Sequence, residues 1–162
     1  MDKSKRCNCN IQSMAKMIEH VIFKKNEGRR VLFVAANPRD ERSLVIPFYG
    51  TRSGQIFSGW IHLLGLTDES VEIINASDRI AKTVSELRVS DYNLIRLKER
   101  IEESTHVIAL GNYAASGIER VTSRSYLKLP HPSGLNRQLN DPLYLLAMCR
   151  KGRAFLEKPC TT

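Results

Sequence analysis

Arg30-Val-Leu-Phe-Val-Ala-Ala36 is apolar in every position after its arginine. A continuous run of that length, rich in valine and with no polar alternation, suits a strand covered on both faces of a sheet. Three shorter runs follow it, at 71–74 (VEII), 107–110 (VIAL) and 126–129 (YLKL). Between them, apolar residues recur at helical spacing. Segment 56–66 carries Trp60, Ile61, Leu63 and Leu64, and segment 92–104 carries Leu94, Ile95, Leu97 and Ile101. A helix is also expected over 112–121. Ahead of the first strand, 11–25 sets Ile11, Met14, Met17, Ile18, Val21 and Ile22 on one helical face. After the last, Asn140-Asp-Pro142 supplies a cap and an early helical proline for a helix over 143–155. Strands alternating with helices predict a three-layer αβα sandwich around a central, mostly parallel four-stranded sheet.

The chain has 162 residues, 42% of them hydrophobic and 26% charged, which suits one globular domain with a real core. That domain is expected to span 1–162, with 1–10 and 157–162 loose. No stretch approaches the roughly 20 apolar residues of a membrane span, and the first residues lack the apolar segment of a signal peptide. A soluble, intracellular monomer is the expectation, in cytoplasm, nucleoid or nucleus. The net charge of +8 sits at the two ends, with basic excess in 1–30 and in 120–162 and a slight acidic excess between. Such a balance suits a polyanion such as DNA, and equally a protein that is basic for solubility. Cys7 and Cys9 are one residue apart, and Cys149 and Cys160 lie far off, so the spacing fits neither a disulfide frame nor structural zinc. Reduced, uncoordinated thiols are the expected state.

In a parallel sheet the ligand sits beyond the carboxyl ends of the strands. The four exits read Asn37-Pro-Arg39, Asn75-Ala-Ser77, Gly111-Asn-Tyr113 and Pro130-His-Pro-Ser-Gly-Leu-Asn-Arg137. Each offers a neutral hydrogen-bonding side chain, the last adds an imidazole, and none offers Asp, Glu or Lys. In the fourth exit two prolines fix the backbone around His131, while Ser133 and Gly134 permit a tight turn near a phosphate. Leu135 stands either as an apolar wedge for a base stack or as a core residue folded back from an ordinary loop.

The loop 130–137 resembles the second signature of the uracil-DNA glycosylase superfamily, a histidine or asparagine followed by Pro-Ser-Pro/Gly-Leu. Ala35-Ala-Asn-Pro38 stands where that family has Gly-x-Asp/Asn-Pro. Pro47-Phe-Tyr-Gly50 resembles its Pro-Phe segment, and Leu110-Gly-Asn-Tyr-Ala-Ala115 its Leu-Gly-x-x-Ala stretch. The pairing of Asn37 with His131 is similar to the single-strand-selective monofunctional branch, and Pro-Ser-Gly-Leu-Asn-Arg to the mismatch-specific branch.

The resemblance implies a monofunctional DNA glycosylase of base excision repair. It would hydrolyse the N-glycosidic bond of uracil or a related pyrimidine flipped out of single- or double-stranded DNA, with no cofactor or metal. Asn37 would position water without taking its proton, more slowly than an aspartate would. His131 would donate to the departing base where negative charge grows. Ala36, Phe48 and Asn75 would hold the base, Phe48 by stacking and Asn75 by reading uracil's donor and acceptor pattern. Pro132, Ser133, Gly134, Leu135, Asn136 and Arg137 would meet the DNA. Two departures stand out: Ala35 replaces the family glycine, and Arg39 follows Pro38 beside the expected water. Rival readings are a glycosylase for a bulkier base such as 5-hydroxymethyluracil, a catalytically silent DNA-binding module, and a nucleotide-handling enzyme on the same scaffold.

Overall fold

The computed structural model describes residues 29–159. The helix expected over 11–25, the residues 1–10 expected to be loose, and Cys7, Cys9 and Cys160 lie outside that range. Four strands form one sheet: β1 (Val31–Ala35), β2 (Val71–Asn75), β3 (His106–Leu110) and β4 (Leu127–Leu129). Their order is β2-β1-β3-β4, and every pairing is parallel. Among the described residues five α-helices accompany them: α1 (Glu41–Val45), α2 (Arg52–Leu63), α3 (Leu94–Glu103), α4 (Asn112–Glu119) and α5 (Pro142–Glu157).

The period-two alternation of β1 divides the core into two halves. Val31, Phe33 and Ala35 pack with Phe57, Trp60 and Ile61 of α2 and Met148 and Leu156 of α5. Leu32 and Val34 face Leu97 and Ile101 of α3 and Ala114 and Ile118 of α4. The result is the expected three-layer sandwich, with α2 and α5 on one face and α3 and α4 on the other.

The element boundaries differ from the sequence reading in a few places. The helix expected from 56 starts at Arg52, because the Thr51 hydroxyl caps it by accepting from the Gly54 N–H. The last helix is capped by Asp141, whose carboxylate accepts from the Leu143 N–H. That helix runs on to Glu157, and the next carbonyl, that of Lys158, accepts from His106 Nε2 at 3.0 Å. The chain leaves β1 for β2 on one side, then crosses to β3 on the other. That reversal opens a crevice beyond the carboxyl ends of β1 and β3, the usual ligand position in such sheets.

Candidate active site

The crevice is a cleft of about 580 Å³, within the range of small-ligand sites. Asn37 leaves β1 at its floor. The Asn37 Nδ2 donates to the Pro38 carbonyl and to the Ala81 carbonyl, each at 2.8 Å. Both amide protons are thereby used, so the side chain turns a single function to a ligand, the acceptor Oδ1. The Ala81 N–H donates in turn to the Pro38 carbonyl at 3.1 Å, which makes a clasp between 37–38 and 81.

His131 follows β4 and meets Asn37 across the cleft. Its ring stands edge-on to Phe48, centroids 5.5 Å apart, and neither ring nitrogen has a hydrogen-bond partner among the described residues. Burial, and then the Arg39 guanidinium, holds its pKa below the ordinary 6.5. The imidazole is therefore neutral at physiological pH, with one N–H to donate. Gly111 backs it, with φ at +93° and its Cβ position 3.6 Å from His131 Cβ. Backbone conformation rather than space reserves that position for glycine.

Phe48 lines the same cleft with φ at +65°, a strained backbone for a bulky side chain. Its carbonyl accepts from both the N–H and the hydroxyl of Thr51, at 3.1 and 2.7 Å. Its ring also leans on Phe57, 5.7 Å away. Strained residues of this kind cluster at functional sites.

In the loop after His131, the Ser133 N–H donates to the His131 carbonyl at 2.7 Å and the Leu135 N–H to Ser133 Oγ at 3.2 Å. This tight turn holds Leu135 out with 87% of its surface exposed, the most of any large apolar residue described. The structure thus decides against the core position for Leu135. Pro132 is buried beneath the turn, and Gly134 packs on Arg52, whose Cγ would lie 2.8 Å from an added Cβ. Asn136 Oδ1 accepts from the Gln138 N–H at 3.1 Å, and Arg137 is exposed.

Two expected base-holding residues, Asn75 and Ala36, sit behind the residues that line the cleft. Asn75 is 5% exposed and does not line the cleft; its Nδ2 donates to the Ser43 carbonyl at 3.1 Å. One of its two amide N–H groups thus braces α1. Ala36 is buried and also off the cleft surface, its carbonyl accepting from the Ser77 N–H at 3.0 Å.

The cleft also contains residues the exits did not reveal. Arg52 and Ser53 enter on the first turn of α2, and Lys82, Thr83 and Val84 come from the excursion between β2 and α3. The Thr51 cap could have disclosed the former. The latter depend on long-range closure, because Ser77 and Tyr92 bridge the two ends of the excursion. Arg39, Arg52 and Lys82 make the lining cationic, and among the described residues no carboxylate is part of it.

No curated protein matches the chain. The family model described as the Uracil DNA glycosylase superfamily matches residues 24–156, which takes in the whole sheet and both walls of the cleft. On that match, and with a sheet and crevice of the kind its motifs implied, the chain belongs to the uracil DNA glycosylase superfamily.

Proposed function

We propose that this protein is a monofunctional DNA glycosylase that hydrolyses the N-glycosidic bond of uracil, or of a related modified pyrimidine, flipped out of DNA during base excision repair. The observation that carries the reading is the meeting of Asn37, His131 and Phe48 in one cleft, beside a leucine held out in solvent.

Each residue then has a physical task. Leu135 enters the stack vacated by the extruded nucleotide. Burying a leucine is worth about 1.5–3 kcal/mol, which offsets an unstacking cost of a few kcal/mol. The Phe48 ring, already fixed by Phe57 and His131, offers a flat apolar face to the pyrimidine. Asn37 Oδ1 accepts a hydrogen bond from the attacking water and so aims its lone pair at the anomeric carbon. Neutral His131 donates to the base carbonyl on which charge accumulates as the bond breaks. The cationic lining with no carboxylate favours both the DNA strand and a departing anion.

Base release from matched oligonucleotides tests this, with uracil, 5-hydroxymethyluracil or thymine in single- and double-stranded form. Asn37→Ala and His131→Ala should each slow release by about 10²–10³-fold and leave DNA binding largely in place. Release that neither substitution slows would sink the assignment of these residues. Salt-sensitive binding with no release from any of these substrates would favour the silent DNA-binding module. Borohydride added during turnover should trap no protein–DNA adduct. A trapped adduct would overturn the monofunctional reading and direct attention to Lys82.

A further inference from the structure

We infer that Arg39 and Lys82 together form an oxyanion subsite on the wall of the cleft, filled when DNA carrying a flipped base is bound. The inference rests on the glycosylase reading for its ligand, but its main observation is independent of catalysis. The clasp of Asn37, Pro38 and Ala81 ties the β1 exit to the excursion, with hydrogen bonds of 2.8 and 3.1 Å. Arg39 and Lys82 are the next residues on either side of that clasp, and both line the cleft.

Two cations that line one cleft with no acid between them in its lining offer an anion a site of matching charge. The side chain of neither makes an ion pair or hydrogen bond to any described residue, whereas Arg79, Arg96 and Arg100 each hold a carboxylate. Two acids close in sequence, Asp40 and Glu86, are turned to other work. The Asp40 carboxylate accepts from the Ser43 N–H and hydroxyl at 2.8 and 2.9 Å, capping α1. The Glu86 carboxylate accepts from the Thr83 N–H and hydroxyl at 3.1 and 3.0 Å. Arg52, the third cation of the lining, is engaged with Gln55 Oε1 at 2.8 Å. Arg39 also depresses the pKa of His131, so its field reaches the ring that faces the ligand.

The oxyanion has two possible sources in bound DNA, a phosphate of the strand or the base itself as it departs. In the second case the C1′–N bond breaks with its electron pair leaving on the base. Water then delivers hydroxide to C1′, and its remaining proton neutralises the base anion.

The variants Arg39→Gln, Lys82→Gln and their combination separate the two sources. Both side chains are exposed, so the fold should tolerate their loss. Exposed Lys98 on α3, outside the cleft, provides the control Lys98→Gln. One arm measures equilibrium binding to an oligonucleotide with a tetrahydrofuran abasic analogue, across a range of salt. A phosphate in the subsite predicts that the slope of log K against log salt falls by about one for each cation removed. The other arm compares single-turnover release of uracil with that of 5-fluorouracil, which leaves more readily as an anion. A departing base in the subsite predicts a loss of about tenfold or more for uracil, a smaller loss for 5-fluorouracil, and an unchanged salt slope. Either pattern supports the subsite. It is overturned if neither readout moves, or if Lys98→Gln moves the salt slope equally. If the unaltered protein releases no base, the glycosylase reading fails while the salt arm still judges the subsite.

Discussion

His131 is kept neutral by burial and by the Arg39 guanidinium, and its pH behaviour follows from that. A neutral ring is the donor the proposed reaction uses, and its half-protonation lies below the ordinary 6.5. Base release should therefore decline with falling pH at a midpoint below 6.5. A rate-against-pH profile with its midpoint at or above 6.5 would contradict this role. The stability contribution has the same sign. As pH falls from 6.5 towards the lower folded value, the unfolded chain takes up this proton first, so stability is lost in that window and is constant above it. Urea unfolding of the protein and of His131→Gln at pH values on both sides of 6.5 reads the difference. Phe48 next to it bears a backbone strain worth about 1–3 kcal/mol. Its ring contacts and the two bonds from Thr51 hold it there. The sequence reading placed Phe48 and His131 in the site, because proline-bounded motifs carry them. It had no access to the positive φ, which arises from packing.

Among the elements, the closure of the excursion between β2 and α3 depends on a close fit. Tyr92 stacks on Tyr113 at 4.3 Å, and its hydroxyl donates to the Tyr113 carbonyl at 2.8 Å. A Cβ at Gly117 on α4 would fall 2.8 Å from Tyr92 Cε1 and 3.3 Å from Leu97 Cδ1. Gly117→Ala must displace a ring that anchors the excursion, at a cost of about 1–3 kcal/mol. Urea unfolding should show that loss, and limited proteolysis should show faster cutting between 78 and 91. Unchanged values on both would mean that Tyr92 moves aside freely. Strands and longer helices were legible because their periodicity is local. The start of α2 was not, since Gly54 and Gly59 weaken the helical pattern that the Thr51 cap restores. Asp40 and Ser43 cap each other to form α1, over a stretch that the sequence reading assigns to no element. Nothing local marks Lys82 as a cleft residue, because its place is set by a bridge between Ser77 and Tyr92.

For the molecule as a whole, the strand order β2-β1-β3-β4 brings the exits of β1 and β4 to opposite sides of one crevice. Reading exits in a parallel sheet therefore located Asn37 and His131. At Asn75 the same rule gives the exit but not the direction of the side chain. Asn75 pairs in register with Ala35 and extends the row of Val71 and Ile73, on the face that α1 and α2 cover. The clasp that spans the crevice also limits how the protein could be improved. An aspartate at position 37 would be the better activator of water, and one base change in the codon supplies it. Here, however, its second carboxylate oxygen would replace a donor lying 2.8 Å from two carbonyl oxygens. Repulsion there would raise its pKa or rotate it out of place. Asn37→Asp is thus expected to release base no faster than the parent in single-turnover assays, and a tenfold gain would refute this. The acid becomes profitable only if the contact with Ala81 is rebuilt at the same time. On the role proposed for Asn37, the two carbonyls thus favour an amide over an acid at this position, and the route to an acid there runs through a second change.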